Sequence, residues 1–354
     1  MKTVRFGIVG TGRISDWVLK GAVLEPRFKA AAVCSRSEDK AREFAARHDI
    51  HRTFTDIDAM ADDPGIDAVY IGTPNQTHRD IAIRCMDHGK HVLCEKPLAS
   101  NALEVKDMIS AAARNGVVLM EAMISTLSPN FRMVQERIGD PGKVRHYSGT
   151  FCQFSSKYDQ LRRILRGEED SPVPSSFNPE RSGGALMDIG IYPIYPMVTL
   201  FGRPDSVKAD VLTIDVPTSE GMRPVDLQGC VTFGYDGMSA IAMYSKIADS
   251  RLRTEISAEG GILSLDQIHI TRQVEFIPHG APTSGRSGGP AKEDITVPCD
   301  PDEYLCEFKE FIDLIESGRS ESENNSLDNS LTVVEILDEI RRQAGVTFPA
   351  DHRD

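Results

Sequence analysis

A short β-prone run, Val4–Val9 (V-R-F-G-I-V), leads straight into Gly10-Thr11-Gly12-Arg13-Ile14-Ser15, and a helix-like segment follows to about Leu24. No other feature restricts the fold as strongly. Strand, glycine turn and helix, with repeated β/α alternation behind them, form the dinucleotide-binding fingerprint of a doubly wound parallel sheet. Gly10 permits the tight turn, and Gly12 lets the backbone approach a pyrophosphate. The third position must be small for helix–strand packing, and Ser15 is nearly small enough. Gly10, Thr11, Gly12, Arg13 and Ile14 are thus predicted to cradle the pyrophosphate. It would sit on the amino end of the helix, where free N–H groups and the dipole favour anions.

The second strand, residues 29–34, ends at Ser35-Arg36-Ser37. An NAD site usually places an acid at this tip to hold the ribose hydroxyls. Here Ser35 and Arg36 stand instead, and a guanidinium suits a 2′-phosphate. NADP is therefore the expected cofactor. NAD stays possible, with Glu38 swinging in to take the hydroxyls.

Alternation continues through a helix at 39–48, a short strand at 51–54 and a strand at 67–71. Thr73, Pro74 and Asn75 follow that strand, on the edge expected for the nicotinamide. His78 opens the next helix, as a cofactor contact or as a structural hydrogen bonder. Residues 90–98 read K-H-V-L-C-E-K-P-L, an apolar strand ending in Glu95-Lys96-Pro97. A residue before proline is pushed toward extended geometry. Lys96 should therefore project beyond the carboxyl edge of the sheet, where ligands bind in such folds. A helix at 102–115, closed by Gly116, and a strand at 117–120 complete a first domain, residues 1–122.

Beyond residue 143, strand-like runs follow one another without alternating helices, at 144–154, 206–214, 226–233, 239–245, 253–259, 261–265 and 269–276. That pattern predicts a large, mostly antiparallel sheet in the second domain, residues 123–354. Period-two alternation in parts of it leaves one face for solvent or a partner. Residues 280–292, rich in Gly, Pro and Ser, read as a mobile loop. Helices at 301–317 and 326–344 close the chain, and the last is a candidate to pack back on the first domain.

Between the halves, Gly183-Gly184 precedes a run in which Asp188 and Tyr192 stand four apart, on one face if helical. An acid beside a phenol is a candidate proton-transfer unit. A phenol titrates near 10, too high for work at neutral pH, and an ammonium such as that of Lys96 would stabilise the phenolate. The bland alternative makes Tyr192 packing and Asp188 a cap.

A net charge of −13 argues against nucleic acid or an anionic membrane as partner. No apolar run approaches the roughly 20 residues of a membrane span. The seven cysteines are odd in number and lack a C-x-x-C pair, as expected of reduced thiols in a cytoplasmic protein without a metal site.

Gly10-Thr11-Gly12, Ser35-Arg36, Thr73-Pro74-Asn75, Glu95-Lys96-Pro97 and the run from Gly183 to Tyr192 occur in one order. In this the chain resembles the Gfo/Idh/MocA oxidoreductases over nearly its whole length. Met120-Glu121-Ala122, Phe177-Asn178-Pro179 and the ending from Leu337 to Pro349 are most similar to the dimeric dihydrodiol dehydrogenase and NADP-dependent D-xylose dehydrogenase group. The resemblance implies a Rossmann domain, a C-terminal α/β domain whose open sheet pairs subunits into a homodimer or larger homo-oligomer, and a catalytic trio of Lys96, Asp188 and Tyr192. It implies reversible hydride transfer between NADP and a hydroxyl-bearing carbon of a sugar, polyol or cyclic diol. One departure stands out: Met123-Ile124-Ser125 occupies the stretch where that group carries a pocket-lining aromatic residue. Two rival readings remain, a glycoside hydrolase that oxidises transiently and eliminates with NAD retained, and a non-catalytic cofactor sensor.

Overall fold

The computed structural model describes residues 3–280 and 291–352. Most of the Gly/Pro/Ser-rich segment read as a mobile loop lies outside the described residues. The chain divides into two compact units, one of Met1–Leu127 with Asp300–Val334, the other of Ser128–Cys299 with Glu335–Asp354. The sequence-based division at 122/123 placed 300–334 in the second half and allowed only the last helix to pack back; the whole of 300–334 clusters with the first unit.

The first unit is built on a six-stranded parallel sheet: β1 (Val4–Val9), β2 (Phe28–Cys34), β3 (Thr53–Phe54), β4 (Ala68–Ile71), β5 (His91–Glu95) and β6 (Leu119–Ala122). Its strand order is β3-β2-β1-β4-β5-β6. The strands are apolar without alternation because both faces are covered; all four residues of β4 and of β6 are buried. Order reverses between β1 and β4, and the crevice beyond their carboxyl ends is the ligand-binding switch point of such sheets. The crossover helices are α1 (Arg13–Ala22), α2 (Glu38–Arg47), α3 (Ile57–Ala61), α4 (His78–Asp87) and α5 (Ala102–Asn115). Ser37, Asp56 and Asn101 cap α2, α3 and α5 by accepting backbone N–H bonds, and Gly116 ends α5 in the left-handed region, at φ 62°.

Helix α6 (Pro129–Arg137), capped by Ser128 with proline in its first turn, and α7 (Tyr158–Leu165) were not expected from the sequence. They flank β7 (Val144–Cys152). Helix α8 (Ile191–Phe201) follows the Gly-Gly segment. The hairpin β8 (Ser206–Thr218) and β9 (Gly221–Tyr235) is longer than predicted, and β10 (Met238–Ser245), β11 (Thr254–Ala258), β12 (Gly261–Leu265), β13 (Val274–Pro278) and the short β14 (Glu293–Asp294) complete the sheet. Strand order is β14-β13-β12-β11-β7-β10-β9-β8. All neighbours are antiparallel except β7 and β10. The strand expected at 269–276 begins only at Val274. Asp266 prevents the earlier start, because its Oδ1 accepts the N–H groups of Arg272 and Gln273 and folds that stretch into a turn.

One face of this sheet is buried through Val231, Phe233, Ala240, Ala242 and Tyr244. Along β8 exposed and half-buried residues alternate almost throughout, so its other face is uncovered. Helix α8 lies on the buried face, where the Tyr147 hydroxyl donates to the carbonyl of Pro193 at 2.8 Å. The helical stretch Pro179–Phe201 is long and apolar enough to cross a membrane by length and composition, contrary to the sequence reading. Yet 72% of its most apolar window is buried, as in the core helix of a globular protein. Two final helices, α9 (Leu305–Ser317) and α10 (Leu327–Ala344), close the chain.

Candidate active site

In the first unit three turns meet at the carboxyl edge of the sheet. Gly10, at φ 103°, lies so close to β4 that a Cβ would stand 2.5 Å from the Gly72 carbonyl oxygen. Only glycine tolerates both that φ and that approach. At Gly12 a Cβ would meet no atom within 4 Å. Helix α1 starts there without a side-chain cap, leaving the N–H groups of Arg13, Ile14 and Ser15 as its orphan donors. Ser15 is buried, packed where a Cβ on Gly72 would strike its Oγ at 2.7 Å. An open glycine over uncapped N–H groups suits a pyrophosphate, so these residues fit a dinucleotide.

At the tip of β2, Ser35 accepts the Ser37 N–H at 3.4 Å. Arg36 is exposed and makes no ion pair among the described residues. Glu38, the acid that an NAD reading would recruit, pairs with Arg42 one turn along α2.

Thr73 is tied into its turn by the Thr77 hydroxyl, which donates to the Pro74 carbonyl at 2.8 Å and lies 2.7 Å from Thr73 Oγ1, whose hydroxyl can donate to it. Pro74 and Asn75 are half-buried beside it. His78 is fully buried. Its Nε2 lies 2.8 Å from the Thr73 carbonyl and its Nδ1 3.0 Å from that of Pro97. A neutral ring donates to one of them, and only an imidazolium donates to both. Burial pushes the ring's pKa down, against the pull of those carbonyls and that of Leu98. His78 thus joins the Thr73 turn to the Lys96-Pro97 turn.

Lys96 is half-buried one residue beyond β5, and its bond to Pro97 is cis. Two buried carboxyls, Glu95 and Glu121, feel its charge. Glu95 accepts a 2.8 Å hydrogen bond from the phenol of Tyr70. Burial raises the pKa of Glu95, while the Lys96 ammonium and the Tyr70 bond pull it down. Glu121, at the end of β6, accepts the Leu98 N–H at 2.9 Å. Burial lifts its carboxyl to about 7, against the Ser330 hydroxyl, that N–H and the Lys96 ammonium. Glu307 on α9 is buried as well, and burial, then Glu95, drive its carboxyl well above the usual range.

In the second unit the Gly-Gly segment enters a π-helical turn, Leu186–Gly190, before α8. The Ile191 N–H reaches the Leu186 carbonyl five residues back. Pro193 has no N–H for the carbonyl of Ile189, so the ordinary register is already broken there. Such turns often mark functional sites. The spacing of Asp188 and Tyr192 therefore crosses a π turn rather than the plain α-helix expected. Gly184, at φ 138°, would place a Cβ 2.1 Å from Asp226 Oδ1. That buried carboxylate accepts the Leu186 N–H at 2.6 Å through Oδ2, and burial raises its pKa to about 6. Asp188 is ion-paired with Lys246. The Tyr192 ring meets Phe151 edge-on at 5.4 Å and His269 at 6.0 Å; Phe151 and His269 stack at 4.0 Å. Burial lowers the His269 pKa to about 4, and its Nδ1 has no hydrogen-bond partner.

Tyr70, Phe151, Lys246 and His269 escaped the sequence reading. Lys246 follows an alternating strand, where a lysine ordinarily reads as surface, and its partner lies 58 residues away. Among the described residues no group of three or more His, Cys, Asp or Glu is placed to hold a metal ion.

The family described as "Oxidoreductase family, NAD-binding Rossmann fold" matches residues 4–123, and the "GFO/IDH/MocA C-terminal domain" matches 131–264. The scyllo-inositol 2-dehydrogenase (NADP(+)) IolU of Bacillus subtilis (strain 168) is 42% identical over 348 residues, covering 98% of this chain and 99% of that protein. The trans-1,2-dihydrobenzene-1,2-diol dehydrogenase of Xenopus tropicalis is 29% identical over 367 residues, covering 98% and 99%. Among solved structures, the aldose-aldose oxidoreductase from Caulobacter crescentus shares the fold with a TM-score of 0.80 at 21% identity, over 97% of this chain and 98% of that one. Two matched domains and a relative similar along its length show that the chain belongs to the Gfo/Idh/MocA oxidoreductases, as an NAD(P)-dependent enzyme acting on hydroxyl-bearing carbons.

Proposed function

We propose that the protein is an NADP-dependent dehydrogenase of a neutral cyclic polyol, with an inositol as the first substrate to test. The observation that carries the reading is the 42% identity, along 98% of the chain, to a scyllo-inositol 2-dehydrogenase that uses NADP(+). Two local features support it. Arg36 at the β2 tip suits a 2′-phosphate, and Glu38 is engaged with Arg42. The absence of an aromatic residue at Met123-Ile124-Ser125 fits a polyol better than a flat dihydrodiol.

When bound, the nicotinamide accepts or returns the hydride. The chain's own residues handle protons and charge. Tyr192 removes the proton of the reacting hydroxyl in oxidation and returns it in reduction. Its ring packing on Phe151 and His269 limits where the phenol can point. The Lys96 ammonium stabilises negative charge on oxygen, and Asp188 accepts a hydrogen bond from a further hydroxyl of the substrate. The uncovered face of the β8–β9 hairpin, with Leu212 49% and Met222 59% exposed, supports a homo-oligomer formed through the C-terminal sheet.

The test is calorimetric binding of NADP⁺ and NAD⁺, then a panel of inositols, aldoses, linear polyols and cyclic diols read by absorbance of the reduced cofactor. Preferred NADP⁺ binding with turnover of an inositol supports the reading. Preference for NAD⁺, turnover confined to aldoses or dihydrodiols, or hydrolysis of a glycoside without net cofactor reduction sinks it.

A further inference from the structure

Lys246 is an internal cation that the chemistry above does not use. It lies just past the end of β10, and its backbone N–H bonds to the carbonyl of Leu227 on β9 at 2.9 Å. Its side chain is only 7% exposed, whereas that of its partner Asp188 is 38% exposed. The ammonium therefore stands behind the carboxylate, on the protein side. The Phe177 ring, 5.2 Å away, supplies a second favourable surface for the cation. Asp226 holds the first residue of the same turn, accepting the Leu186 N–H, and the Lys246 ammonium offsets part of the rise that burial causes in the pKa of Asp226. The π turn is thus held at two points, at its first residue Leu186 by the Asp226 carboxylate of β9 and at its middle residue Asp188 by the Lys246 ammonium just past β10.

A buried ammonium is costly unless paired, and a lone cation facing outward would draw anions. Here it is covered by the carboxylate that it orients. The exposed side of the pair presents an acceptor, which suits a hydroxyl donor and disfavours a carboxylated or phosphorylated substrate.

We infer that Lys246 is a positioning residue: through its ion pair it sets the orientation of the Asp188 carboxylate toward a hydroxyl of a neutral polyol. The inference rests on the function proposed above. It separates two roles for cations in one enzyme, Lys96 at the sheet edge of the first unit and Lys246 behind an acid in the second.

The test compares the wild type with Lys246→Met, Lys246→Arg, Asp188→Asn and the Asp188→Asn/Lys246→Met double variant. The varied substrate is the polyol identified by the panel, at saturating NADP⁺, with NADP⁺ affinity measured separately by calorimetry. Lys246→Met should raise KM for the polyol on the order of tenfold to a hundredfold, with NADP⁺ affinity held within about twofold. The double variant should be no worse than Asp188→Asn alone, because the lysine acts through the acid. Lys246→Arg keeps the charge but widens the donor, so it should raise KM by a smaller factor. It decides the matter if the methionine variant does not fold. Losses that multiply in the double variant, or wild-type KM in the substituted chains, overturn the inference. A wild type that oxidises no polyol overturns the proposed function and this inference together. A wild type that does so while both Lys246 variants match it overturns this inference alone.

Discussion

The Tyr70 phenol donates a 2.8 Å hydrogen bond to the buried carboxyl of Glu95, the residue before Lys96. Tyr70 stands on β4 and Glu95 on the adjacent β5, so the bond ties the turn carrying the lysine to the middle of the sheet. Burial, then Glu95, hold the phenol of Tyr70 well above its ordinary pKa, so it stays a donor. Tyr70→Phe keeps the ring and removes the donor, leaving a buried acceptor short of a partner. A loss of about 1–3 kcal/mol of stability is expected, read as a lowered urea midpoint at unchanged slope. An unchanged midpoint would show that the bond contributes nothing.

Glu121 makes stability depend on pH. Its folded pKa of about 7 lies above the ordinary carboxyl value of 4.5, with burial as the main cause. The folded state therefore keeps a proton that the unfolded chain has given up. This contribution is fully present below about pH 4.5 and is lost as pH rises toward about 7, by up to about 3 kcal/mol. Glu121→Gln resembles the protonated form at every pH. Relative to wild type it should gain stability between pH 5 and 8, measured by denaturant unfolding across that range. Parallel curves for the two proteins would refute the assignment.

Arg36 is expected to discriminate between the two cofactors. Arg36→Ala should weaken NADP⁺ binding about tenfold to a hundredfold, the worth of a charge-assisted contact to phosphate, and leave NAD⁺ binding nearly unchanged. Calorimetry with both dinucleotides checks this. Equal losses for the two would move the phosphate site elsewhere.

Lys96→Ala should lower turnover by about a hundredfold to ten-thousandfold, the usual range for a lost acid–base or charge-stabilising group, while the thermal transition persists. Glu95 and Glu121 both lose a favourable cation in this variant, so a modest drop in Tm is part of the expectation. Near-normal turnover on the identified polyol would remove Lys96 from the mechanism.

Much of the first unit could be read from sequence because its signals are local. Gly10 and Gly12 follow an apolar strand, and Gly116 ends α5 where the sequence placed it, although the short helix α3 went unread. The carboxyl-edge placement of Thr73 and Lys96 follows from that alternation. His78 was harder. Its function as a bridge depends on Pro97, 19 residues on, and nothing near it signals that contact. The second unit hid more, because its candidate site residues are held by side chains from distant strands. Asp188 was legible as chemistry, but Lys246 was not, and Phe151 and His269 meet Tyr192 only through the tertiary fold. Helices α6 and α7 were missed because short helices among strands carry little periodicity. The return of 300–334 to the first unit required contacts that no local pattern encodes.

That return has a consequence for how the protein is made. Phe308 and Phe311 of α9 pack on Phe6, with ring centroids at 5.4 and 5.9 Å, and Phe308 lies 5.0 Å from Phe28. The aromatic surface of the first two strands thus waits for a cover translated almost last. At roughly 5–20 residues per second, the gap between emergence of Phe28 and Phe308 lasts about 15–60 seconds. Throughout that interval the nascent amino-terminal sheet presents sticky, unfinished surface. Nascent chains stalled before residue 300 should therefore be protease-sensitive in the first 127 residues, and chains stalled well beyond residue 334 should be protected there.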